Sequence, residues 1–379
     1  MRGYSKTAFS LALAALFLAA LVAQPHLLAQ SQGTFPSQFE GGGYTRDPKK
    51  LTSRDSVSFV QDISLERTDI ETGLVPLDDE VATPLIAINP VLPGGVDHVA
   101  AGTGTRNAGN GTIRLRGVPA GATVVRAWLY WGTVFANPVP ATSTAIFNGT
   151  MVTGRRINAP TAEPCWLFQN ASFAAYRATV KALITSTVNG NYQVSGLASA
   201  ITNGTDPFVC APPFPTPPTP GSEGATLVVI FSHSSVPSRA RTYIHEGPTL
   251  VTGTTTVTNI LSPALPVHTF VKQTRFGADG QIGCSEFAVP ALNGEITAFG
   301  PNLAALTIIK GPGSTLNPSS DWNGTDGMCM NQLWDTQSDA FGAVNGMLNL
   351  LPAGGTQYVV QYTGVGDCFV TVAHILTVK

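Results

Sequence analysis

Between Gly111 and Thr150 apolar and polar residues alternate with a period of two. In GTIRLR, Ile113 and Leu115 alternate with Thr112, Arg114 and Arg116, the pattern of a half-buried strand. VPAGAT reads as a turn, and VVRAWLYWG predicts the next strand, with Val125, Ala127, Leu129 and Trp131 on one face. Val124, Arg126, Trp128 and Tyr130 fall on the other, which the pattern makes the less buried of the two. Apolar residues on both faces predict a central strand covered in part by a further layer. Ala145–Phe147 and Met151–Thr153 then flank Asn148-Gly149, the residue pair that a two-residue type I′ hairpin turn demands.

Further strand-length runs follow the same rules. SVSFVQDI (residues 56–63) is a candidate first strand, and the Pro- and Gly-rich text from Asp78 to Gly111 reads as a long loop or an edge region. FAAYRATVKALIT places Phe173, Tyr176, Val180 and Leu183 at helical spacing, although a strand ending in a helical turn fits the same residues. NYQVSGL is a strand, and DPFVCAPPFPTPPTPG an extended Pro-rich excursion. GATLVVIFS predicts a buried strand returning through SSVPS into Arg239–His245, with strands at 249–258 and 267–274 beyond. From Leu265 the runs QIGCSEFAV, NGEITAF, AALTIIK, TQYVVQYTG and DCFVTVAHILTV predict a second block. Asn-Gly recurs at Asn110, Asn189, Asn203, Asn293, Asn323 and Asn345. With Asn148, four of these continue as Asn-Gly-Thr; turn chemistry explains them more simply than glycosylation.

The expected fold is all-β: two tandem antiparallel β-sandwich domains, jelly-roll or Ig-like, behind a signal peptide. The expected boundaries are 1–29 for the signal, 30–105 for a flexible or irregular arm, 106–262 for the first sandwich and 263–379 for the second.

Composition adds an address. Arg2 and Lys6 precede an apolar run from Ala8 to Ala23 broken only by Ser10, with small residues at Ala23 and Ala29. This is the pattern of an export signal, too short for a comfortable membrane span. No second run approaches spanning length, so the mature chain is expected outside the cell without a transmembrane segment. Only 12% of residues are charged and the net charge is −2, which argues against nucleic acid as a partner. An oxidising compartment makes disulfides the expected state of the five cysteines. Cys165 and Cys210 bracket one insertion and are expected to pair with each other; two of Cys284, Cys329 and Cys368 form a second bridge.

Candidate chemistry is sparse. There is no G-x-S-x-G elbow. A hairpin turning near Val236 would hold His233 and His245 roughly 20 Å apart, too far to share an ion. His268 and His374 read as strand residues. DWNGTDG offers Asp321, Asn323, Thr325 and Asp326 as oxygen donors for calcium, but its glycine sits one place late for an EF-hand and no glutamate closes the loop. An Asx-turn is the simpler reading, and no cofactor is otherwise expected. Trp128, Tyr130, Trp131, Trp166, Trp322 and Trp334 could stack on sugar rings; Trp131 reads as core, which leaves Arg126, Trp128 and Tyr130 as the candidate binding patch. Asp78, Asp79 and Glu80 read as a solvated charge run, and Lys181 or Lys272 could donate to an isopeptide crosslink.

The succession GVPAGATVVRAWLYWG, FNGTMVTG, AYRATVKALI, NYQVSGL, GATLVVIFSH and RTYIHEG resembles a β-sandwich module of exported prokaryotic surface proteins. GADGQIG, NQLWDTQSDAF and GVGDCFVTVAHILTV resemble the module that often follows it. The resemblance covers about residues 110–379 and implies a surface or extracellular domain of unassigned activity. The expected function is therefore non-enzymatic: a structural, adhesive or interaction protein, its partner a surface glycan or another extracellular protein. The alternatives are a carbohydrate-binding module using Trp128 and Tyr130, and a secreted hydrolase using scattered carboxylates.

Overall fold

Strand β4 (Thr123–Ala136) lies near the middle of a nine-stranded sheet, and both of its faces are buried. The computed structural model describes residues 85–88, 92–106, 108–162, 171–203, 218–251, 253–278, 296–311, 313–314, 322, 334–342, 350–364 and 369–379. Among them the fold is all-β and antiparallel. The candidate first strand at 56–63, all five cysteines, Trp166, and the loop carrying Asp321, Asn323, Thr325 and Asp326 lie outside the described residues.

The large sheet is built from β2 (Val96–Gly104), β3 (Gly111–Leu115), β4, β5 (Thr142–Phe147), β6 (Thr150–Arg156), β7 (Thr161–Ala162), β8 (Ala171–Thr179), β9 (Gly190–Ser195) and β10 (Gly221–Ser232). The strand order is β2-β10-β4-β8-β6-β5-β9-β3, with β7 added beside β8. The sheet curls until its ends meet: a Cβ placed on Gly111 of β3 would lie 2.3 Å from Thr103 Oγ1 of β2. Ile113, Leu129, Trp131, Phe147, Tyr176, Tyr192 and Leu227 fill the interior of this near-barrel. Its β5–β6 hairpin turns at Asn148 (φ 47°) and Gly149 (φ 79°), both left-handed as a type I′ turn requires. FAAYRATVKALIT resolves into β8 followed by a 3₁₀ turn at Lys181–Leu183, because Phe173 to Ala178 are needed as partners of β4.

A second sheet runs β1-β11-β18-β13-β16, from Ile86–Ala87 (β1), Arg241–Val251 (β11), Phe369–Val378 (β18), Phe270–Ala278 (β13) and Trp334–Gly342 (β16). One face packs on the outside of the barrel through Trp128, Tyr130, Val228, Ile230, Phe276, Trp334, Val372 and Ile375. The other packs on a third sheet, ordered β12-β17-β14-β15, from Thr254–Ile260 (β12), Gln357–Thr363 (β17), Ile296–Gly300 (β14) and Thr307–Lys310 (β15). Tyr243, Phe299, Trp322, Tyr358, Tyr362 and Phe369 dominate that third core. The described residues thus form a near-barrel, a middle sheet and an outer sheet.

Four expectations change. The text before Gly111 is not all irregular, since VDHVAAGTG forms β2 and pairs along its whole length with β10. Its small residues hid the alternation, and only the partner strand reveals it. β10 and β11 are not a hairpin: β10 pairs β2 and β4, whereas β11 pairs β1 and β18. The chain between them crosses from the barrel to the middle sheet. The boundary at 262/263 runs through two sheets, because β11 pairs β18 and β12 pairs β17 across it. Lastly, bulges break the two-residue alternation in two strands, and in β4 they change the face assignment. At β4, Arg126 faces Ile230 and Val124 faces Phe231, so Val124 packs toward the barrel interior and Val125 toward the middle sheet. At β18 the ladder skips Val372, so Val372 and Ala373 both face the barrel while His374 faces the outer sheet.

Candidate functional site

Polar side chains that carry chemistry gather where the middle sheet meets its two neighbours. On the barrel side, Arg126, Trp128 and Tyr130 of β4 have different fates. Arg126 is exposed, Trp128 is 8% exposed and Tyr130 is fully buried. The face that alternation made the less buried is therefore an interface between sheets. Tyr130 donates its phenol to Glu246 Oε2 of β11 at 2.8 Å, and Arg177 of β8 pairs with Glu246 Oε1 at 2.6 Å. The Arg177 guanidinium stands 5.6 Å from the centroid of the Trp128 ring, a cation–π distance. Burial raises the Glu246 pKa, opposed by Arg177, and burial then Glu246 raise that of Tyr130, which keeps the phenol protonated as the donor.

A second cluster is built on β2. Asp97 is paired with Lys272 of β13 and with Lys379, each at 2.6 Å. Burial works to raise its carboxyl, yet Lys272 above all, with Lys379, holds it at about 2. Beside it His98 is fully buried, with Nδ1 2.7 Å from Thr377 Oγ1 and Nε2 2.8 Å from Thr274 Oγ1. The directions of these bonds follow from one acceptor-only group. Thr242 Oγ1 donates to the Val96 carbonyl at 3.1 Å, which uses its single hydrogen, so it accepts from Thr377 Oγ1 at 2.7 Å. Thr377 has then spent its hydrogen and must accept from His98 Nδ1–H. In the neutral ring Nε2 accepts from Thr274, and Thr274 accepts from Ser338 at 2.7 Å. Burial first, then Lys272, lowers the His98 pKa, so the ring is neutral. One directed chain runs from Ser338, at the surface, to the Val96 carbonyl.

The third cluster faces the outer sheet. His245, His374, Arg275 and Gln337 stand on one register row across β11, β18, β13 and β16. His245 donates Nε2–H to the Ile260 carbonyl at 2.7 Å, so its Nδ1 accepts from the Tyr358 hydroxyl at 3.4 Å. His374 bonds Tyr362 through Nε2 and lies 3.2 Å from Asn259 Nδ2 through Nδ1. Arg275, fully buried, donates to Asp339 at 2.6 Å. Burial lowers His245 to about 4 and, with His245 and Arg275 beside it, lowers His374 well below the ordinary histidine value. Both rings are neutral at pH 7.

Chemically these clusters are closed: each imidazole nitrogen has a partner inside the protein, and none of the three rings is open to a substrate. Among the described residues no group of three or more His, Cys, Asp or Glu side chains has the arrangement of a metal site. His233, half-buried, is bonded to Ser235 in the crossing between β10 and β11, and the sheets separate it from His245. Lys272 is the one crosslink candidate brought beside a carboxylate, as an ion pair with Asp97; Lys181 is exposed. Sequence reasoning singled out Arg126, Trp128 and Tyr130 but missed Asp97, His98, Glu246 and Arg275. The available signal was a charged or imidazole residue inside an otherwise apolar strand, as in VDHVA, TYIHEG and VAHIL.

No protein-family model matches the chain, and no curated protein does. Among solved structures, a cryo-EM structure of the Sputnik virophage aligns at 10% identity over 85% of this chain and 90% of that one, with a TM-score of 0.18. The subviral particle of infectious bursal disease virus VP2 aligns at 9% identity over 84% and 86%, with a TM-score of 0.16. The T13 particle of that virus aligns at 11% over 82% and 81%, with a TM-score of 0.13. Likenesses of this size carry no argument about fold or function. No helix among the described residues is long and apolar enough to cross a membrane.

Proposed function

We propose that the protein is an exported, non-enzymatic interaction protein of the cell surface or extracellular space, related in kind to the surface-protein modules its sequence resembles. The observation that carries this reading is how the chemistry-bearing side chains of the described core are used. Tyr130, Glu246, His98, His245 and His374 are buried and bonded to neighbouring buried or part-buried side chains or to the backbone. Trp128, Trp131, Trp322 and Trp334 are buried as well, so these aromatics serve packing. What such a fold offers a partner is its surface, in keeping with the leader-like N-terminus and the low charge content.

Oxidative stapling belongs to the same reading. Described residues that follow Cys165 and Cys210 in sequence stand at the end where β4 finishes: Val134 pairs with Phe173 on one side and with Gly221 on the other. A Cys165–Cys210 disulfide would cross-link the chain between β7 and β8 to the chain before β10. The test is fractionation of producing cells under non-reducing conditions. The proposal expects the chain outside the cytoplasm, shortened by its leader and holding at least one disulfide. A full-length reduced chain in the cytoplasm overturns it.

A further inference from the structure

We infer that one end of the barrel is a docking surface for an acidic polysaccharide, bound through its sulfate or carboxylate groups. This rests on the reading above and names its partner class. The near-neutral net charge conceals a strong asymmetry, because ten of the 23 acidic residues precede Val81. The described residues contain five acidic side chains: Asp97, Glu223, Glu246, Asp335 and Asp339. Four are buried, and Asp339 is bonded to Arg275. No described acidic side chain is exposed, whereas Arg114, Arg116, Arg126, Arg155, Lys181 and Arg239 are.

Strand register and the connections between strands place five of those six cations toward one end of the barrel. Val96 and Thr123 both pair with Ser232, so β2 and β4 begin, and β10 finishes, at one end of the barrel. Arg126 lies just inside that end and Arg239 in the crossing that leaves it. Lys181 follows β8 there, where Val180 N–H donates to the Ala127 carbonyl. The sheet closes on the same side: Leu115 pairs with Gly190, and Arg114 with Asn191. Arg116 is held by bonds from Nη1 to the Gly190 carbonyl at 2.8 Å and from Nη2 to Asn191 Oδ1 at 2.9 Å. The one described carboxylate near this end, Asp97, is taken up by Lys272 and Lys379. Arg155 stands further up, level with Arg177.

The rim therefore presents cations spaced around a barrel mouth, with no competing exposed carboxylate among the described residues. Exposed Asn191, paired with Arg114 and bonded to Arg116, adds a neutral hydrogen-bonding group beside two of them. No described aromatic side chain stands exposed here for bases to stack on, which favours a charged polysaccharide over single-stranded nucleic acid. Charge-led binding of this kind weakens steeply with salt.

The test measures binding of the purified exported chain to a sulfated polysaccharide (heparin), a carboxylated one (polygalacturonate) and single-stranded DNA, over a salt series. The inference expects salt-sensitive binding to at least one polysaccharide, and which one binds identifies the anionic group. It expects Arg126→Glu with Lys181→Glu to weaken binding about tenfold or more, and Arg155→Glu to change it less than twofold. The neutral pair Arg126→Gln and Lys181→Gln, with unaltered thermal unfolding, separates lost charge from lost fold. Absence of polysaccharide binding, equal weakening by Arg155→Glu, or tighter binding of DNA through the same residues overturns the inference. An exported, disulfide-bonded chain that binds no polysaccharide would leave the interaction-protein reading standing and remove only this partner.

Discussion

Trp334 of the middle sheet lies directly on the bare backbone of Gly224 in the barrel: a Cβ at Gly224 would stand 2.4 Å from the indole Cγ. Gly224 pairs with Gly132 on β4, where a Cβ would stand 2.9 Å from the same ring. The two glycines form a flat seat, and the indole N–H donates to Thr226 Oγ1 at 2.8 Å. Here absent side chains position the joint between two sheets. Gly224→Ala is expected to cost about 3 kcal/mol or more, because the obstruction is a rigid ring in a filled core. Denaturant unfolding checks this, and Gly121→Ala makes the comparison: its φ of +80° strains alanine, but no atom lies within 4 Å of its Cβ.

The directed chain through His98 predicts a particular tautomer. The ring should carry its proton on Nδ1, readable from its nitrogen chemical shifts. Thr377→Val removes both the acceptor for that proton and the donor to Thr242, and should cost about 1–3 kcal/mol. Ser338→Ala touches only the exposed start of the chain and should change stability by less than about 0.5 kcal/mol.

Acid should loosen the contact between the middle and outer sheets. His245 is held neutral down to about 4 against an ordinary 6.5, and His374 shifts the same way. A depressed histidine favours the fold fully above 6.5, and that stability drains as pH falls toward 4. For His245 alone the loss is on the order of 3 kcal/mol. Asp97 acts lower, between 3.8 and about 2. Glu246, with its pKa raised above 4.5, has the opposite sign and gains as it protonates. Urea midpoints at pH 7, 5.5 and 4.5 should therefore fall, and His245→Gln should flatten the dependence while lowering stability at pH 7.

Residues 263–379 produced alone should not fold. β18 needs β11 on one side and β13 on the other, and the outer core loses Tyr243, Val251 and Val257. A cooperative unfolding transition from that fragment would contradict the shared sheets.

Several barrel strands were legible because each is patterned by its own two faces. Ile113 and Leu115, the Asn148-Gly149 turn and the Trp131 face follow from local alternation, which needs no knowledge of the partner strand. Sheet membership did not follow. GATLVVIFS and RTYIHEG read as a hairpin because they are adjacent in sequence, and nothing local says that the second leaves for another sheet. Bulges were invisible for a related reason: the extra residue at Val372 appears only against β11 and β13. At the candidate site, Trp128 and Tyr130 were found as aromatics, but their burial depends on a layer contributed by residues more than a hundred positions away, Glu246 among them. The exposed cations at one barrel end were hidden for the same reason, since whole-chain charge averages over acids that folding buries and over the ten that precede Val81.

A chain that works outside the cell by binding through its surface should partition accordingly between the surface fraction and the cytoplasm of producing cells, before and after a high-salt wash. Leader-cleaved native protein is expected on the surface and released by salt, with Arg126→Glu and Lys181→Glu shifting it into the medium. Protein retained in the cytoplasm, or surface protein indifferent to both salt and those substitutions, would contradict this reading.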